Sequence, residues 1–501
     1  MARRRPIHRS ALSVFQYAPR VVSPVVIIRG CSWRHIASGD VSSLLRSRTC
    51  MKDLTQGSIT RHIVTMAVPI AIGMIFQALY YLVDLYFVGR LGEDALAGVG
   101  AAGNVTFLVL ALTQVLGVGT VALIAQAAGR KDRDSANLVF NQAVALSAVS
   151  GIVVLVLGYA LTTLYLRSIS SDAATIAAGR TYLYWYMPGL ALQFALVAMG
   201  SALRGTGIVQ PTLTVQLLSV VLNAILAPIL IAGWLTGAPM GVAGAGLATT
   251  ISLAVATLAL WGYFRKLERF VGFDGSLLTP RLGEWRRILG IGLPAGGEYA
   301  LLFLFSALAY WAIRDFGAAA QAGFGAGSRL LQGLILPGLA ISFAAGPIIG
   351  QNFGAGNVER VRGTFRSAVV LVSVVMVPLA IAVYAFAPSL VTVFSKDAGV
   401  IGQGSVFLHI VAWNFIAQGI IFTCSSVFQG LGNTRPSLLS SSVRLLAFAL
   451  PTIWIAMRGN FAIELIWYFS LASMFIQAAV SLLLLRRQFD LRLSGAMPAA
   501  T

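Results

Sequence analysis

The sequence predicts an all-α membrane protein with twelve transmembrane helices, arranged as two parallel-repeat lobes of six helices each. Three observations predict this fold class: the composition, the length of the apolar runs, and one internal offset that aligns the two halves. Of the 501 residues, 57% are hydrophobic and 11% are charged, whereas about 25% of the residues of a soluble domain are charged. A chain with so little charge cannot cover a soluble globule with polar surface, so a lipid bilayer is the solvent that fits it.

Twelve apolar runs are separated by short polar breaks or breaks that contain Gly and Pro. Each run has the roughly 20 mostly apolar residues that a spanning helix requires. Runs of this length predict helices, because the strands of a membrane barrel would alternate over about ten residues. The runs lie near residues 63–88, 96–128, 138–165, 178–203, 211–234, 240–264, 288–313, 320–350, 367–388, 403–428, 437–457 and 460–485.

A single ungapped offset of 225 residues aligns the first six runs with the second six. The matches include Gly, Pro and Gln, which a general apolar bias would not place on one diagonal. Because each repeat contains an even number of spans, both halves start on the same side of the membrane, and the repeat is parallel. Matched pairs include Pro69 and Pro294, Gly92 and Gly317, Gln126 and Gln351, Gly129 and Gly354, Gly205 and Gly430, and Gly207 and Gly432.

The runs divide the chain into a basic leader (1–50), an N-lobe (51–264), a charged linker (265–286), a C-lobe (287–487) and a short tail (488–501). Each loop is numbered by the span that it follows. The even-numbered loops and the tail hold 17 basic residues, and the odd-numbered loops hold 6. By the positive-inside rule, both termini are expected in the cytoplasm. We therefore expect a multi-pass protein of the plasma (inner) membrane.

The leader differs from the rest of the chain, with nine Arg, eight Ser and a single acid, Asp40. Three interpretations are open: translation that starts at Met51, a disordered basic tail, or an organellar transit peptide, which is typically rich in Arg and Ser and poor in acids. A start at Met51 is favoured, because this residue opens the polar segment before the first apolar run. Recovery of Met1 or Ala2 from the native chain would exclude it.

Composition also excludes several classes of function. The net charge of +19 does not indicate a nucleic-acid partner, because no polar face with interleaved basic and aromatic residues is present. Three Cys and four scattered His have no metal-ligand spacing, so no metal site is expected. No Gly-rich GxxxxG precedes a Lys, which excludes a P-loop. The spans also lack the clustered His, Asp or Ser of a membrane-embedded enzyme, so we predict neither an enzyme nor a cofactor.

Two similar lobes that face one another leave a cleft, which rocking of the lobes opens to alternate sides. Without a P-loop, uphill transport needs an ion gradient, and carboxylates inside the spans are the expected coupling groups. Two acids lie well inside spans: Asp84, about 30 Å along the first, and Glu298, about 15 Å along the seventh. Their partners in the repeat are Ala309 and Gly73, so each lobe holds one carboxylate, at a different depth.

Several other side chains are candidates for substrate contact or gating. Arg329 and Arg444 lie within spans, where each would pair with a carboxylate, contact a substrate or snorkel to the interface. Tyr184 belongs to an aromatic cluster that would stack on flat cations or form an interfacial belt. Tyr81 is a further candidate. Prolines inside the spans are candidate kinks: Pro69, Pro188, Pro228, Pro294 and Pro337.

Residues 51–487 resemble the MATE (multidrug and toxic compound extrusion) family of secondary antiporters. The resemblance lies in several short motifs, and the motif glycines Gly89, Gly129, Gly205 and Gly354 belong to them. The motifs are Ala67-Val68-Pro69, Val83-Asp84, Gly89-Arg90-Leu91-Gly92, Ala125-Gln126-Ala127-Ala128-Gly129, Gly350-Gln351-Asn352-Phe353-Gly354, Arg204-Gly205-Thr206-Gly207 and Phe428-Gln429-Gly430-Leu431-Gly432.

The resemblance implies export of amphipathic, often cationic, organic compounds in exchange for H⁺ or Na⁺, by a monomer in the lipid bilayer. It implies an N-lobe cation site formed by Asp84, Asn223 and Thr249, and a coupling role for Glu298 in the C-lobe. Ala227 stands where family members often carry an Asp before the fifth-span Pro, which favours H⁺ over Na⁺.

A flippase of lipid-linked saccharides, built on related helical lobes, is the alternative transport function. It calls for a cleft rich in basic residues that hold pyrophosphate. In the sequence, only Arg329 and Arg444 meet this requirement.

Overall fold

The computed structural model describes residues 51–234, 237–266, 268, 270–459 and 461–493. For residues 80–85 of the first helix it describes the backbone but not the side chains. The predicted leader and the last eight residues of the predicted tail therefore lie outside the described residues.

Fifteen α-helices and two short 3₁₀ turns make up the described part of the chain, which contains no strand. The helices are α1 Ile59–Gly89, α2 Glu93–Gly129, α3 Arg133–Ile169, α4 Ala173–Gly205, α5 Gln210–Ile231, α6 Val242–Lys266, α7 Leu282–Ala312, α8 Ala318–Leu334, α9 Leu336–Gly354, α10 Val358–Ala385, α11 Ala387–Val391, α12 Ala398–Val411, α13 Asn414–Gly430, α14 Arg435–Ala456 and α15 Glu464–Leu493.

Ten of the described helices are long and apolar enough to cross a bilayer, and two bent pairs bring the number of spans to the predicted twelve. The axes of α8 and α9 differ by 41°, and those of α12 and α13 differ by 51°. Helices α1 and α7 continue through Pro69 and Pro294. The first bent pair is broken at Ile335, just before Pro337, whereas no Pro lies at the second break.

The bounds of the helices repeat the offset of 225 residues that the sequence shows. The ends of α2, α4 and α5 correspond in this way to the ends of α9, α13 and α14. The starts of α2, α3, α4 and α5 correspond to those of α8, α10, α12 and α14. The predicted parallel repeat of two six-span lobes is therefore confirmed.

Each lobe has its own apolar core, but the first helix of each lobe crosses to the other core. Ile63 and Met66 of α1 are fully buried in the cluster formed mainly by C-lobe residues. Ile288 and Ile291 of α7 are buried in the N-lobe cluster. Helices α1 and α7 therefore tie the two lobes together, and the lobes share two helices that run across the boundary between them.

Pseudo-equivalent turns follow α4 and α13. Gly207 and Gly432 both have a positive φ, of 79° and 71°, in the left-handed region that Gly adopts without steric cost. Their N–H groups bond the carbonyls of Arg204 and Gln429, which closes the end of each helix. Each turn thus directs the chain back into the next span on the same side of the bundle.

The connection between the lobes is held on the N-lobe by Gln142 of α3. Its amide donates to the carbonyls of Leu277 and Thr279, at 2.6 and 2.8 Å, and its carbonyl accepts from the N–H of Arg281 at 2.8 Å. One buried side chain therefore fixes three backbone groups of the linker. The linker is therefore attached to the N-lobe up to the start of α7, whose first turns are also buried against the N-lobe.

Candidate functional site

A symmetric pair of hydrogen bonds joins the two lobes at one end of the bundle. The side-chain amide of Gln126, near the end of α2, donates to the carbonyl of Gly430 in the C-lobe at 2.9 Å. The amide of Gln351, near the end of α9, donates to the carbonyl of Gly205 in the N-lobe at 3.0 Å. These four residues are related in pairs by the repeat. We call this arrangement the seal.

Two glycines allow the helices of the seal to approach closely. A Cβ atom at Gly129 would overlap the backbone carbonyl of Gln351, and a Cβ at Gly354 would overlap the backbone carbonyl of Gln126. Backbone atoms cannot rotate away as the end of a flexible side chain can. The contact of α2 with α9 therefore requires a residue without a side chain at both positions.

The first seven described residues cross the seal and connect both lobes. Lys52 donates its N–H to the carbonyl of Thr206 in the N-lobe at 3.0 Å. Leu54 is fully buried; its N–H donates to Oε1 of Gln351 at 3.0 Å, and its carbonyl accepts from the amide of Asn352 at 3.2 Å. The segment thus covers the seal from outside the bundle and uses the second polar atom of Gln351.

Asp53 and Arg360 shape this segment. The hydroxyl and the N–H of Thr55 donate to the Asp53 carboxylate at 2.5 and 2.8 Å. These hydrogen bonds, chiefly that of the hydroxyl, hold the pKa of Asp53 below its usual value. Arg360 of α10 donates to the carbonyls of Leu54 and Gly57, at 3.4 and 3.1 Å. The C-lobe therefore holds the segment by charge-assisted hydrogen bonds as well as by burial.

A narrow opening lies between the lobes, deeper in the bundle than the seal. Helices α2 and α4 form its N-lobe wall, and α9 and α13 form its C-lobe wall. Most of the lining is small or apolar, with Gln114, Gln429 and Arg204 as the long polar side chains. A narrow opening therefore lies between the lobes, where the repeat predicts a cleft, and the seal lies at one end of it.

Arg204 is the one charged side chain among the described residues that line this opening. It is largely buried, its Nη2 atom donates to Oγ of Ser201 at 2.9 Å, and its Cζ lies 5.9 Å from the centre of the Phe343 ring of α9. Its equivalent in the C-lobe is Gln429, which donates to Oγ of Ser425 at 3.3 Å. The two walls of the opening are thus alike in shape but differ in charge.

Glu298 lies on the stretch of α7 that is held between the lobes. Gly292 and Gly296 pack against Val115 of α2, whereas Gly297 packs against Leu438 of α14. Oε1 of Glu298 is buried and accepts no hydrogen bond from the described residues. The Ser437 hydroxyl of α14 lies beside the carboxyl group. The predicted carboxylate is therefore in the interior, directed towards the C-lobe.

The next residue, Tyr299, is directed towards the opposite side. Its hydroxyl lies close to the Gln114 side chain and within electrostatic range of Arg204. Helix α7 thus places a carboxyl group beside Ser437 of the C-lobe and a phenol beside Gln114 of α2. A shift of α7 relative to α2 would change both environments at once.

The structure brings together two of the three residues predicted for the N-lobe cation site. The Nδ2 atom of Asn223 lies 3.3 Å from Oγ1 of Thr249, and both side chains are buried. The side chains of Asp84 and Tyr81 lie outside the described residues. The backbone of α1 packs on α5, the helix of Asn223. The corresponding C-lobe positions hold apolar side chains.

The remaining candidates are dispersed. The Nε atom of Arg444 on α14 is buried without a hydrogen-bond partner among the described residues, and its Cζ lies 4.4 Å from the centre of the Phe305 ring. Arg329 on α8 is exposed. Tyr184 is 59% exposed in a groove between α3 and α4, where it contacts Tyr159. Gly89 ends α1. None of these residues lines the opening.

Three residues of this site are not among the functional residues that the sequence predicts. Gln126 and Gln351 are equivalent in the repeat, but nothing in the sequence indicates that each forms a hydrogen bond with the opposite lobe. Arg204 belongs to a turn motif in the sequence. The signal that could have found it is the mismatch on the diagonal, since Gln429 stands at the equivalent position. No group of three metal-ligating side chains is found within the described part of the chain.

The family model described as MatE matches this chain twice, at residues 69–229 and 294–455, one match to each repeat. The chain belongs to the MatE family. It is a multi-pass membrane transporter and carries the helices of that family in both halves. The family predicted from the motifs is therefore confirmed.

Curated relatives of this MatE chain include a probable multidrug resistance protein of Bacillus subtilis, YpnP, 27% identical over 420 residues, which are 81% of this chain and 92% of the relative. An FAD transporter of Shewanella oneidensis is 27% identical over 410 residues, 80% of this chain and 89% of the relative. The multidrug export protein MepA of Staphylococcus aureus is 25% identical over 425 residues, which are 83% of this chain and 91% of the relative.

Solved structures share the fold. An outward-facing multidrug resistance MATE family transporter superposes with a TM-score of 0.82 at 24% identity, over 91% of this chain and all of the other. A transporter of the MOP superfamily from Pyrococcus furiosus is described as having a binding pocket of reverse polarity. It superposes with a TM-score of 0.82 at 24% identity, over 90% of this chain and 99% of the other. At this identity the similarity establishes the fold of the MatE chain and not its substrate.

Proposed function

We propose that this chain exports amphipathic organic compounds by alternating access, in exchange for H⁺ or Na⁺. The observation that carries the proposal is the opening between two pseudo-equivalent lobes, closed at one end by the seal of Gln126 and Gln351. In the proposed cycle, movement of the lobes widens this narrow opening and exposes it to one side of the membrane at a time. The names of the curated relatives, two of them multidrug proteins, support export.

The seal is strong enough to close the opening and weak enough to break. Each neutral hydrogen bond contributes about 1 kcal/mol net, so the bonds of Gln126 and Gln351 contribute only a few kcal/mol together. An ion or a substrate that binds one conformation more tightly supplies a difference of this size. The crossed helices α1 and α7 keep the lobes associated while the seal opens.

Coupling is assigned to the N-lobe. The buried pair of Asn223 and Thr249 lies on helices that pack together beside α1, the helix of Asp84. The equivalent C-lobe positions of these three residues are Ala309, Phe448 and Met474, all buried and apolar. We propose that Asp84 carries the coupling ion, that H⁺ is favoured over Na⁺, and that Glu298 is a second, separate carboxylate.

The sealed end is assigned to the cytoplasm. It lies at the ends of α2, α4, α9 and α13, which lead into the even-numbered loops rich in basic residues. We propose an inner-membrane protein with both termini in the cytoplasm, active as a monomer, with no cofactor apart from the coupling ion. The alternative, a lipid-linked saccharide flippase, needs several cations in the cleft, and the described lining holds one, Arg204.

Transport by purified protein in liposomes tests the proposal. Fluorescent amphipathic dyes are presented with an imposed pH gradient, an imposed Na⁺ gradient, or neither. We expect uptake of at least one dye to rise about tenfold with one of the two gradients and to fall to the basal rate when an ionophore removes it. If the protein is inserted and folded but neither gradient changes the rate of dye uptake, ion-coupled export is contradicted.

A further inference from the structure

We infer that the opening accepts compounds that carry an anionic group, a carboxylate or a phosphate, and that Arg204 binds this group. The inference rests on the proposed function, because it names a class of compound for the same opening. The resemblance to the family implies cationic substrates, whereas the charged residue that lines the opening favours anionic ones.

The donors of Arg204 are mostly unused. A guanidinium has five N–H donors in a rigid fork, and one of them bonds a described side chain, that of Ser201. The ion pairs of Arg287 with Glu284 and of Arg314 with Asp315 do not involve Arg204. An unpaired cation taken out of water is costly, and a planar anion that accepts two parallel hydrogen bonds offsets this cost.

No described carboxylate lines the opening to neutralise this charge or to attract a cation. Glu298, a described acid inside the bundle, lies beside Ser437 on the C-lobe side of α7. A second buried guanidinium, that of Arg444, lies on the same side and is also without a carboxylate partner among the described residues. The one charge on the described lining of the opening is therefore positive.

The repeat provides an internal control for the role of this charge. Gln429 occupies the position equivalent to Arg204, lines the opposite wall and forms a comparable hydrogen bond to Ser425. The turn that follows it has the same geometry as the turn that follows Arg204. Because the turn forms equally well with an uncharged amide, its geometry does not require the Arg204 charge, which is free to bind a ligand.

Arg204 also has the location that a substrate-binding group needs. It lies directly before Gly205, whose carbonyl accepts the seal hydrogen bond from Gln351. An anion bound to the guanidinium would therefore lie at the base of the opening, within one helical turn of the seal. Loading of this site and opening of the seal would be mechanically connected.

Two dyes that differ in one group test the inference: rhodamine 110, which has a free carboxylate, and rhodamine 123, its methyl ester. Binding to the purified, delipidated full chain is measured by fluorescence anisotropy in dodecyl maltoside. We expect the wild type to bind the carboxylate about tenfold more tightly than the ester. Arg204→Gln, which copies Gln429, should bring the ratio below about threefold, and Arg204→Lys should keep most of it.

Arg458→Gln is the control variant. This Arg is exposed and stacked on Trp454 at the end of α14, away from the opening, so the ratio should not change. Size-exclusion profiles and thermal unfolding confirm that each variant is folded. Equal binding of the two dyes by the wild type, binding of neither, or an unchanged ratio in folded Arg204→Gln would overturn the inference.

Phosphatidylglycerol distinguishes a lipid headgroup from a substrate as the source of the anion. If phosphatidylglycerol displaces rhodamine 110 at concentrations lower than that of the dye, the site belongs to a lipid and the inference is wrong. The proposed function fails by a different result. Selective binding of the carboxylate dye without gradient-driven uptake in liposomes would support the anion site and contradict the antiport.

Discussion

Alanine at Gly129 or Gly354 is expected to lower transport at least about fivefold, because the added Cβ atom overlaps a backbone carbonyl of the opposite lobe. The overlap disappears only if α2 and α9 move apart, which opens the seal. Overpacking of this kind costs about 1–3 kcal/mol, which corresponds to a shift of about five- to 150-fold in the equilibrium between the two conformations. Neither lobe loses a core contact, so the protein should still insert and purify.

The measurement is gradient-driven dye uptake into liposomes by Gly129→Ala, Gly354→Ala and the wild type. Gly262→Ala is the matched control, because it adds the same methyl group within a helix where no atom lies within 4 Å. We expect this control to transport at the wild-type rate. Normal uptake by both seal variants would show that close approach of α2 and α9 is not needed for the transport cycle.

Replacement of Asp84 by Asn is expected to reduce gradient-driven uptake to less than about a tenth of the wild-type rate. The substitution keeps the size of the side chain and removes its ability to release a proton or to pair with a cation. Binding of substrate in the absence of a gradient should remain, since none of the described side chains of α1 lines the opening. The measurement compares uptake with and without the gradient in the same liposomes.

Asp94→Asn serves as the control, because Asp94 is an exposed carboxylate in the first turn of α2. Its loss should leave uptake unchanged. Glu298→Gln, measured in parallel, separates the two carboxylates inside the spans. Unchanged gradient-driven uptake by Asp84→Asn, together with its loss in Glu298→Gln, would move the coupling site to the C-lobe.

The fold was predictable from the sequence because its signals are local and repeated. Each span needs an unbroken apolar run, and each helix end needs a break, so the offset of 225 residues appears again in the observed bounds. The bend between α12 and α13 was not predictable, because no Pro marks it. The crossing of Ile63 and Ile288 into the opposite cores was not predictable either, because apolar periodicity shows that a face is buried but not against which helix.

The candidate site was predictable only in part. Asn223 and Thr249 were expected together and lie 3.3 Å apart. Gln126, Gln351 and Arg204 were visible in the sequence, but their roles depend on the rotation of each helix and on the distance between the lobes. Both quantities are set by packing between residues that are hundreds of positions apart, which a single sequence does not encode locally.

The central claim is that the lobes open one end of the bundle as they close the other. Pulsed electron paramagnetic resonance tests it by distances between two pairs of spin labels, in a background where Cys31, Cys50 and Cys424 are Ser. One pair reports on the sealed end and joins Asp134 of α3 to Glu359 of α10, which are exposed and equivalent in the repeat. The other pair joins Glu93 and Ala318, exposed at the opposite end.

The distances are measured in lipid nanodiscs at several pH values and Na⁺ concentrations, with and without a transported dye. Alternating access predicts that the distance between Asp134 and Glu359 increases under the conditions in which the distance between Glu93 and Ala318 decreases. Two distances that stay fixed, or that change in the same direction, in protein that transports the dye would contradict the account.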